Sequence, residues 1–511
     1  MYYITLSRPY TNAIPHLGTA IDAVYGDTFN RFFRRLKDGQ TFFSMGTDEH
    51  SFKIVDKAKE LGISPKTFVN QKYSEFKTVY DRLEISYDTF DQNSTPKHYW
   101  LANLVWEKLK SKNLIYKKTY HGLYCKGCED FYAPSQLIDG KCPVHQNIEI
   151  QEIDEENYFF KLSHFKDSVL EYLDKVNVPD KSVLVEMRNF TQDLQDISIS
   201  RDRSRLSEDW GIPVWSDPKH LMYVWFEALQ TYITPLINDD TFEEWEKAVD
   251  DTQKKQVESK VWNEIKLKLP QDLQIIGRDN AKFHLIIWSA TLFGLDLPPI
   301  STCVVHGMIT DSLGRKFAKS LGNGVELQDF IDKMGVEGVR FFVLHDVNPI
   351  GDTSFDWDRV IDSYNANLAN NLGNLVVRVT NLVEKNLDGV VDFDGLKIEN
   401  DQKYNSLNEV YEALLEFDTQ KAMQMLLAKC TTINQCLEET KPWELAKNRE
   451  KNSEKIREVL THSTRALLEI SKALSIFLPE SGEKIYNILM EDRIQKAPVL
   501  FPRIASGESE K

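Results

Sequence analysis

The chain opens on the apolar run YYITLS, passes through a loop to a helical stretch from about Pro15 to Leu36, and returns to an apolar run, TFFSMG. Strand, helix and strand in such close succession constrain the fold more than any other feature. Strands joined by a crossover helix lie parallel, and a parallel sheet needs helices to cover its faces. Apolar runs of the same kind return at LQIIG (273–277) and TCVVHG (302–307), each followed by a helix or loop. The expectation is an α/β chain with a doubly wound parallel sheet, interrupted by an insertion.

From about residue 355 the pattern changes. Leu368, Leu372, Leu375, Val379 and Leu382 repeat at helical spacing, as do Leu467, Ile470, Leu474 and Phe477. Gly and Pro become rare, so the last 150 or so residues read as a helical bundle, ending in the polar tail ASGESEK. At 511 residues the chain is too long for one core, and two to four domains are expected. No run of about eighteen apolar residues predicts a membrane span. The N-terminus lacks the plan of a secretory signal, so a cytoplasmic protein is expected. The net charge of −16 argues against a general nucleic-acid coat protein. It leaves room for a local basic face, because phosphate contacts need only a few placed Lys and Arg.

Three of the six cysteines form an array with a histidine: Cys125, Cys128, Cys142 and His145 in C-x2-C-x13-C-x2-H spacing. Two short chelating pairs on a loop of this length suit a tetrahedral Zn²⁺, and four protein ligands make its role structural. A disulfide is the alternative, which a reducing compartment disfavours. Cys303, Cys430 and Cys436 stand in apolar or helical segments and read as inert.

Two turns carry candidate chemistry. IPHLGTA (14–20) lies between the first strand and the first helix, where a sheet's carboxyl edge and a helix N-terminus make an anion site. His16 can donate to a phosphate oxygen, and Gly18 lets a flat base approach the backbone. Far downstream, GRKFAKSLGN (314–323) sets Lys316, Lys319 and Ser320 among glycines. Taken alone, it reads as a solvated loop. Joined to the first turn, its lysines are the mobile cations that close over the far end of a triphosphate.

PHLG and KFAKS resemble the HIGH and KMSKS signatures of class I aminoacyl-tRNA synthetases. The chain is similar to the methionyl-tRNA synthetases over nearly its whole length, through GTDEH (46–50), WGIPV (210–214), YVWFEALQTYI (223–233), GRDNAKFHLIIW (277–288), FAKSLGN (317–323), LANNLGNLVVR (368–378) and KPWELA (441–446). The resemblance implies a Rossmann-type catalytic domain over 1–115 and 216–310, with a zinc-bearing connective insertion at 116–215. It also implies a KMSKS loop and stem-contact segment at 311–355 and an α-helical anticodon-binding domain at 356–511. It implies a methionine–tRNA ligase that forms methionyl-adenylate from L-methionine and Mg²⁺-ATP and charges tRNA(Met). A monomer with one structural Zn²⁺ is expected.

Residue by residue, the resemblance gives His16, Gly18, Lys316, Lys319 and Ser320 to catalysis on ATP, with Asp279 a further nucleotide contact. Asp48 takes the substrate ammonium. Tyr10, Trp225, Ala228, Tyr232, Phe283 and His284 form the methionine pocket. Aromatic edges favour a polarizable thioether by about 0.3–1.5 kcal/mol each. Asn367, Asn371, Asn374 and Arg378 form a stripe on one helix, and the resemblance assigns anticodon reading to Asn374, Arg378 and Trp443. Amides, an Arg fork and a stacking plate are the groups that read unpaired bases.

The chain departs from the family at four places. Thr19 replaces the last His of HIGH, and KFAKS carries Phe317 and Ala318. Arg8 stands where an apolar residue is usual, and Ser51 follows DEH in place of Gly. These changes bear on rate and selectivity and leave His16, Asp48 and Lys319 in place. Thr19, Arg8 and Ala318 are also the only support for the alternative, a non-catalytic or altered-specificity paralogue that binds tRNA.

Overall fold

The computed structural model describes residues 1–12, 14–125, 130–132, 137–143, 146–203, 209–315, 324–393 and 407–505. The chain divides into two compact units. The first comprises 1–14, 42–77 and 87–304; the second comprises 15–41, 78–86 and 305–511.

The first unit is built on a five-stranded sheet. Its strands are β1 (Tyr2–Leu6), β2 (Thr41–Thr47), β3 (Thr89–Gln92), β4 (Leu273–Gly277) and β5 (Thr302–His306), in the order β5-β4-β1-β2-β3. β1 runs parallel to β4, with Ile4 opposite Leu273, and β2 runs parallel to β3, with Ser44 opposite Thr89. The doubly wound expectation is met. β1 and β4 are buried along almost their whole length, as a sheet covered on both faces requires. The winding reverses at β1, which has β2 on one side and β4 on the other. Ligands of open α/β sheets bind in the crevice beyond the carboxyl ends at such a point. Gly46 is needed for strand approach: a Cβ there would lie 2.2 Å from the Asp91 carbonyl oxygen of β3.

Between β3 and β4 the chain builds smaller antiparallel sheets. One is four-stranded, its long ladder pairing Ile115–Cys125 with Gln151–Phe160. The other is three-stranded, from 200–202, 217–222 and 213–214.

The second unit is helical. It holds α1 (Leu17–Leu36) and, among others, Leu327–Phe341, Asn374–Leu387, Thr419–Thr440 and Arg449–Phe477. Both predicted apolar stripes, from Leu368 to Leu382 and from Leu467 to Phe477, are buried there. No helix among the described residues is long and apolar enough to cross a membrane.

A fully buried ion pair gathers this unit. Arg340 Nη2 lies 2.6 Å from Asp27 Oδ2, and both side chains are inaccessible to solvent. Arg340 Nε donates to the Phe477 carbonyl (2.8 Å) and Nη1 to that of Leu83 (3.3 Å). Asp27 also accepts from Arg31 Nε (2.7 Å), Ser86 N (2.7 Å) and Ser86 Oγ (2.6 Å). Burial pushes the Asp27 carboxyl up, but Arg340, Arg31 and Ser86 together outweigh it and hold the group below its ordinary 3.8. Its stabilising share is therefore present above that value and is lost as pH falls through the depressed one.

Arg340→Leu would strand a buried carboxylate. It is expected to destabilise the protein by about 3–5 kcal/mol in urea unfolding at neutral pH. An unchanged midpoint would show that Asp27 is held by its other partners alone.

Candidate active site

In the first unit the segment after β1 meets the end of β2. Thr11 N donates to the Asp48 carbonyl (3.1 Å) and Asp48 N to that of Pro9 (3.0 Å), which sets Tyr10 beside Asp48. The Tyr10 ring stands edge-on to Trp225, with centroids 5.8 Å apart. Trp225 stacks on Phe283 at 3.8 Å and 9°. Phe283 and His284 open a π-helical turn, Phe283–Trp288, whose wider backbone presents neighbouring side chains differently from an α-helix. Tyr232 O–H meets His284 Nε2 at 2.7 Å, and His284 Nδ1 meets the Asn280 carbonyl at 2.9 Å. The carbonyl can only accept, so Nδ1 carries the proton and Nε2 accepts from Tyr232. His284 thus orients Tyr232. Ala228 is buried where the short helix Val224–Glu227 passes into a 3₁₀ turn.

Arg8 reaches Ser44 Oγ with Nη2 (2.7 Å), and its guanidinium lies 5.7 Å from the Tyr232 ring centroid. The departure at position 8 therefore puts a cation next to this aromatic group.

Asp48 is buried and sits in a polar knot. Its Oδ1 accepts from Asn93 Nδ2 (2.9 Å), and the same amide nitrogen lies 3.2 and 3.3 Å from the two oxygens of Glu227. Asn93 Oδ1 accepts from Glu49 N (2.8 Å). Glu227 is fully buried and meets His50 Nδ1 and His98 Nε2, each at 2.9 Å. The far nitrogens of these imidazoles meet Tyr99 O–H (2.9 Å) and Thr234 Oγ1 (2.8 Å). Burial drives the Asp48 carboxyl well above 3.8, and the charge of Glu227 raises it further. Burial pushes Glu227 up too, but His50 and then His98 outweigh that and hold it below 4.5. Two adjacent carboxylates are thus driven apart in acidity.

Sequence reasoning singled out Asp48 but missed Asn93, Glu227 and His98 as its surroundings. The one available signal was Glu227 itself, a charge within the otherwise uncharged YVWFEALQTYI. Asp279 is exposed on the turn after β4.

In the second unit His16 caps α1. Its Nδ1 accepts from Thr19 N (3.3 Å), while Thr19 Oγ1 accepts from His16 N (3.2 Å). This reciprocal pair satisfies two N–H groups of the helix start, and it is what Thr19 does in place of a second imidazole. Because Nδ1 accepts, the ring proton sits on Nε2. A Cβ on Gly18 would lie 3.0 Å from His16 Cε1 and Nδ1, so the glycine makes room for this ring. His16 also bridges to Glu326, antiparallel, just past the segment that holds Lys316, Lys319 and Ser320. Those three residues lie outside the described residues.

Also in this unit, the Arg378 guanidinium lies 4.6 Å from the Trp443 ring centroid, and its Nη2 is 2.6 Å from Glu438 Oε1. Asn370, Asn374, Arg378, Thr431, Asn434 and Gln435 line a groove of about 490 Å³. Asn367 and Asn371 donate instead to carbonyls of the bundle, at Ser363 (3.0 Å) and Leu427 (3.1 Å). The predicted stripe therefore splits, half of it tied to the fold and half lining the groove.

Of the cysteine array, Cys125 ends a strand as a buried free thiol, and Cys142 is buried after the turn closed by Ile138 and Lys141. Cys128 and His145 lie outside the described residues. No group of three or more His, Cys, Asp or Glu able to hold a metal occurs among the described ones.

Comparison with known proteins shows the family. The family model for tRNA synthetases class I (M) matches residues 2–153 and 149–380. The methionine–tRNA ligase of Clostridium acetobutylicum is 32% identical over 533 residues, covering 98% of this chain and 78% of that protein. That of Brucella melitensis is 31% identical over 523 residues, covering 99% and 95%. The Mycobacterium tuberculosis methionyl-tRNA synthetase in complex with methionyl-adenylate superposes with a TM-score of 0.86 at 28% identity, over 98% of this chain and 99% of that one.

Proposed function

Since the chain belongs to the class I (M) tRNA synthetases and is a methionine–tRNA ligase, we propose that the aromatic group beside Asp48 is where it holds L-methionine. The observation that carries this reading is a buried carboxylate on a residue paired with Tyr10, whose ring stands edge-on to the stacked Trp225 and Phe283: an anion for the ammonium and a soft wall for the thioether. Asp48 receives the ammonium. Tyr10, Trp225 and Phe283 pack on the side chain, Ala228 leaves room for it, and Tyr232, held by His284, closes its end.

The substrate carboxylate attacks the α-phosphorus of Mg²⁺-ATP, the bond to pyrophosphate breaks, and methionyl-adenylate forms. The ribose hydroxyl at the 3′ end of tRNA(Met) then takes the acyl group, and AMP leaves. No protein nucleophile is needed: catalysis is positioning and charge stabilisation. His16 donates through Nε2 to a phosphate oxygen, and Gly18 keeps that ring in place. Lys316, Lys319 and Ser320 meet the leaving pyrophosphate, and Asp279 is a further nucleotide contact. The bridge between His16 and Glu326 supports the joint role of the two turns, because it ties the ends of both segments together.

Asn374, Arg378 and Trp443 read the anticodon from the groove in the helical unit, Trp443 as the stacking plate. Cys125, Cys128, Cys142 and His145 hold one structural Zn²⁺. The burial of both described thiols suits this, since a buried thiolate needs a cation to balance it.

Asp48→Asn is the decisive test. Methionine-dependent ATP–pyrophosphate exchange should show a KM for methionine raised about 30-fold or more, the cost of truncating a buried charge pair, with the KM for ATP little changed. An unchanged methionine KM would refute the assignment. Gly18→Ala should do the reverse, displacing His16 and raising the KM for ATP while sparing that for methionine. Atomic absorption should find one zinc per chain, and Cys125→Ser should lose it and melt at a lower temperature.

A further inference from the structure

The ammonium site as assigned above contains one carboxylate, but one buried amide joins it to a second, that of Glu227. The Glu49 N–H on Asn93 Oδ1 fixes which way that amide faces. Both hydrogens of Asn93 Nδ2 are thereby aimed at carboxylates, one at Asp48 and one at Glu227. Glu227 is in turn gripped by two imidazoles. These partners are what a carboxylate needs to stay charged out of water, yet the charge they hold in place has no assigned part in the reaction.

We propose that Glu227 is a positioning residue for the ammonium site: through Asn93 it fixes the Asp48 carboxylate and supplies the second negative charge that makes the site selective for a protonated amine. The proposal rests on the reading of Asp48 as the ammonium partner.

The charged and titratable groups around Asp48 come from every segment packed on it. Glu49 and His50 follow it in sequence, Tyr10 comes from the segment after β1, Glu227 from Val224–Glu227, and His98 and Tyr99 from the helix Pro96–Ser111. Among them Glu227 and Glu49 are the anions, and Glu227 is the stronger in raising Asp48. Only ionised Asp48 pairs with an ammonium, so methionine affinity must fall as pH drops through the raised Asp48 value. When the ammonium binds, Asp48 gives up its proton and the repulsion between the two carboxylates is relieved.

Two substitutions move this acid limb in opposite directions. Glu227→Gln removes the like charge, which lowers the Asp48 value and should shift the limb of 1/KM for methionine by about one unit toward lower pH. Asn93→Ser removes a donor to the ionised form and should shift the limb upward by a similar amount. A purely structural role for the knot would raise the methionine KM equally at every pH, and that result, or an unmoved limb in both variants, overturns the proposal. If Glu227→Gln fails to fold by circular dichroism, Asn93→Ser decides alone: an upward shift supports the proposal and none overturns it. A wild-type enzyme with no acid limb in the methionine KM would instead refute the role of Asp48, which keeps the two failures apart.

Discussion

A carboxylate taken out of water must be met by donors or cations, or it will not stay charged. This constraint organises both compact units, and they answer it differently. In the helical unit Asp27 meets two guanidinium groups and a serine, so its charge is compensated and its acidity rises. The groups that do this come from 15–41, 78–86 and 305–511, the three sequence segments of that unit. The pair is therefore a fastening point for the unit, α1 and its His16 cap included.

In the sheet unit, among the described residues, the Asp48 carboxylate receives an amide and a long backbone N–H contact from His50, with a second anion close by. It is left undercompensated, and its carboxyl is pushed well above its ordinary value. The neighbouring Glu227 gets the imidazoles that Asp48 lacks. The same physics that makes Asp27 a structural group fits Asp48 to the receptor role proposed for it. The aromatic group next to it is equally specific in kind. Stacked and edge-on rings offer a polarizable surface, and the Tyr232 hydroxyl is already turned toward His284. On the proposed reading, a thioether suits such a wall better than a side chain that demands strong hydrogen bonds.

Much of this was legible before any coordinates. The alternation of YYITLS, a helix and TFFSMG dictated a parallel sheet, because only a crossover connection joins such strands. The leucine stripes after residue 355 dictated helices with one buried face, since period 3.6 lines up side chains on one side. Other outcomes were hidden in packing. Three asparagines and an arginine at helical spacing form one stripe in sequence, yet Asn367 and Asn371 turn to carbonyls of the bundle while Asn374 and Arg378 line the groove. Thr19 reads as a lost imidazole, and in the structure it is half of a helix cap.

The sequence by itself determined which elements form, the family, and the residue types each turn brings. All of these follow from local spacing, and local spacing survives without knowledge of distant contacts. Only the tertiary structure decided that Asn93 joins Asp48 to Glu227, partners 45 and 134 residues away along the chain. Side-chain hydrogen bonds of that range depend on where three separate elements come to rest. A carboxylate's charge depends on that arrangement too, because acidity is set by the groups within a few ångströms and not by neighbours in sequence.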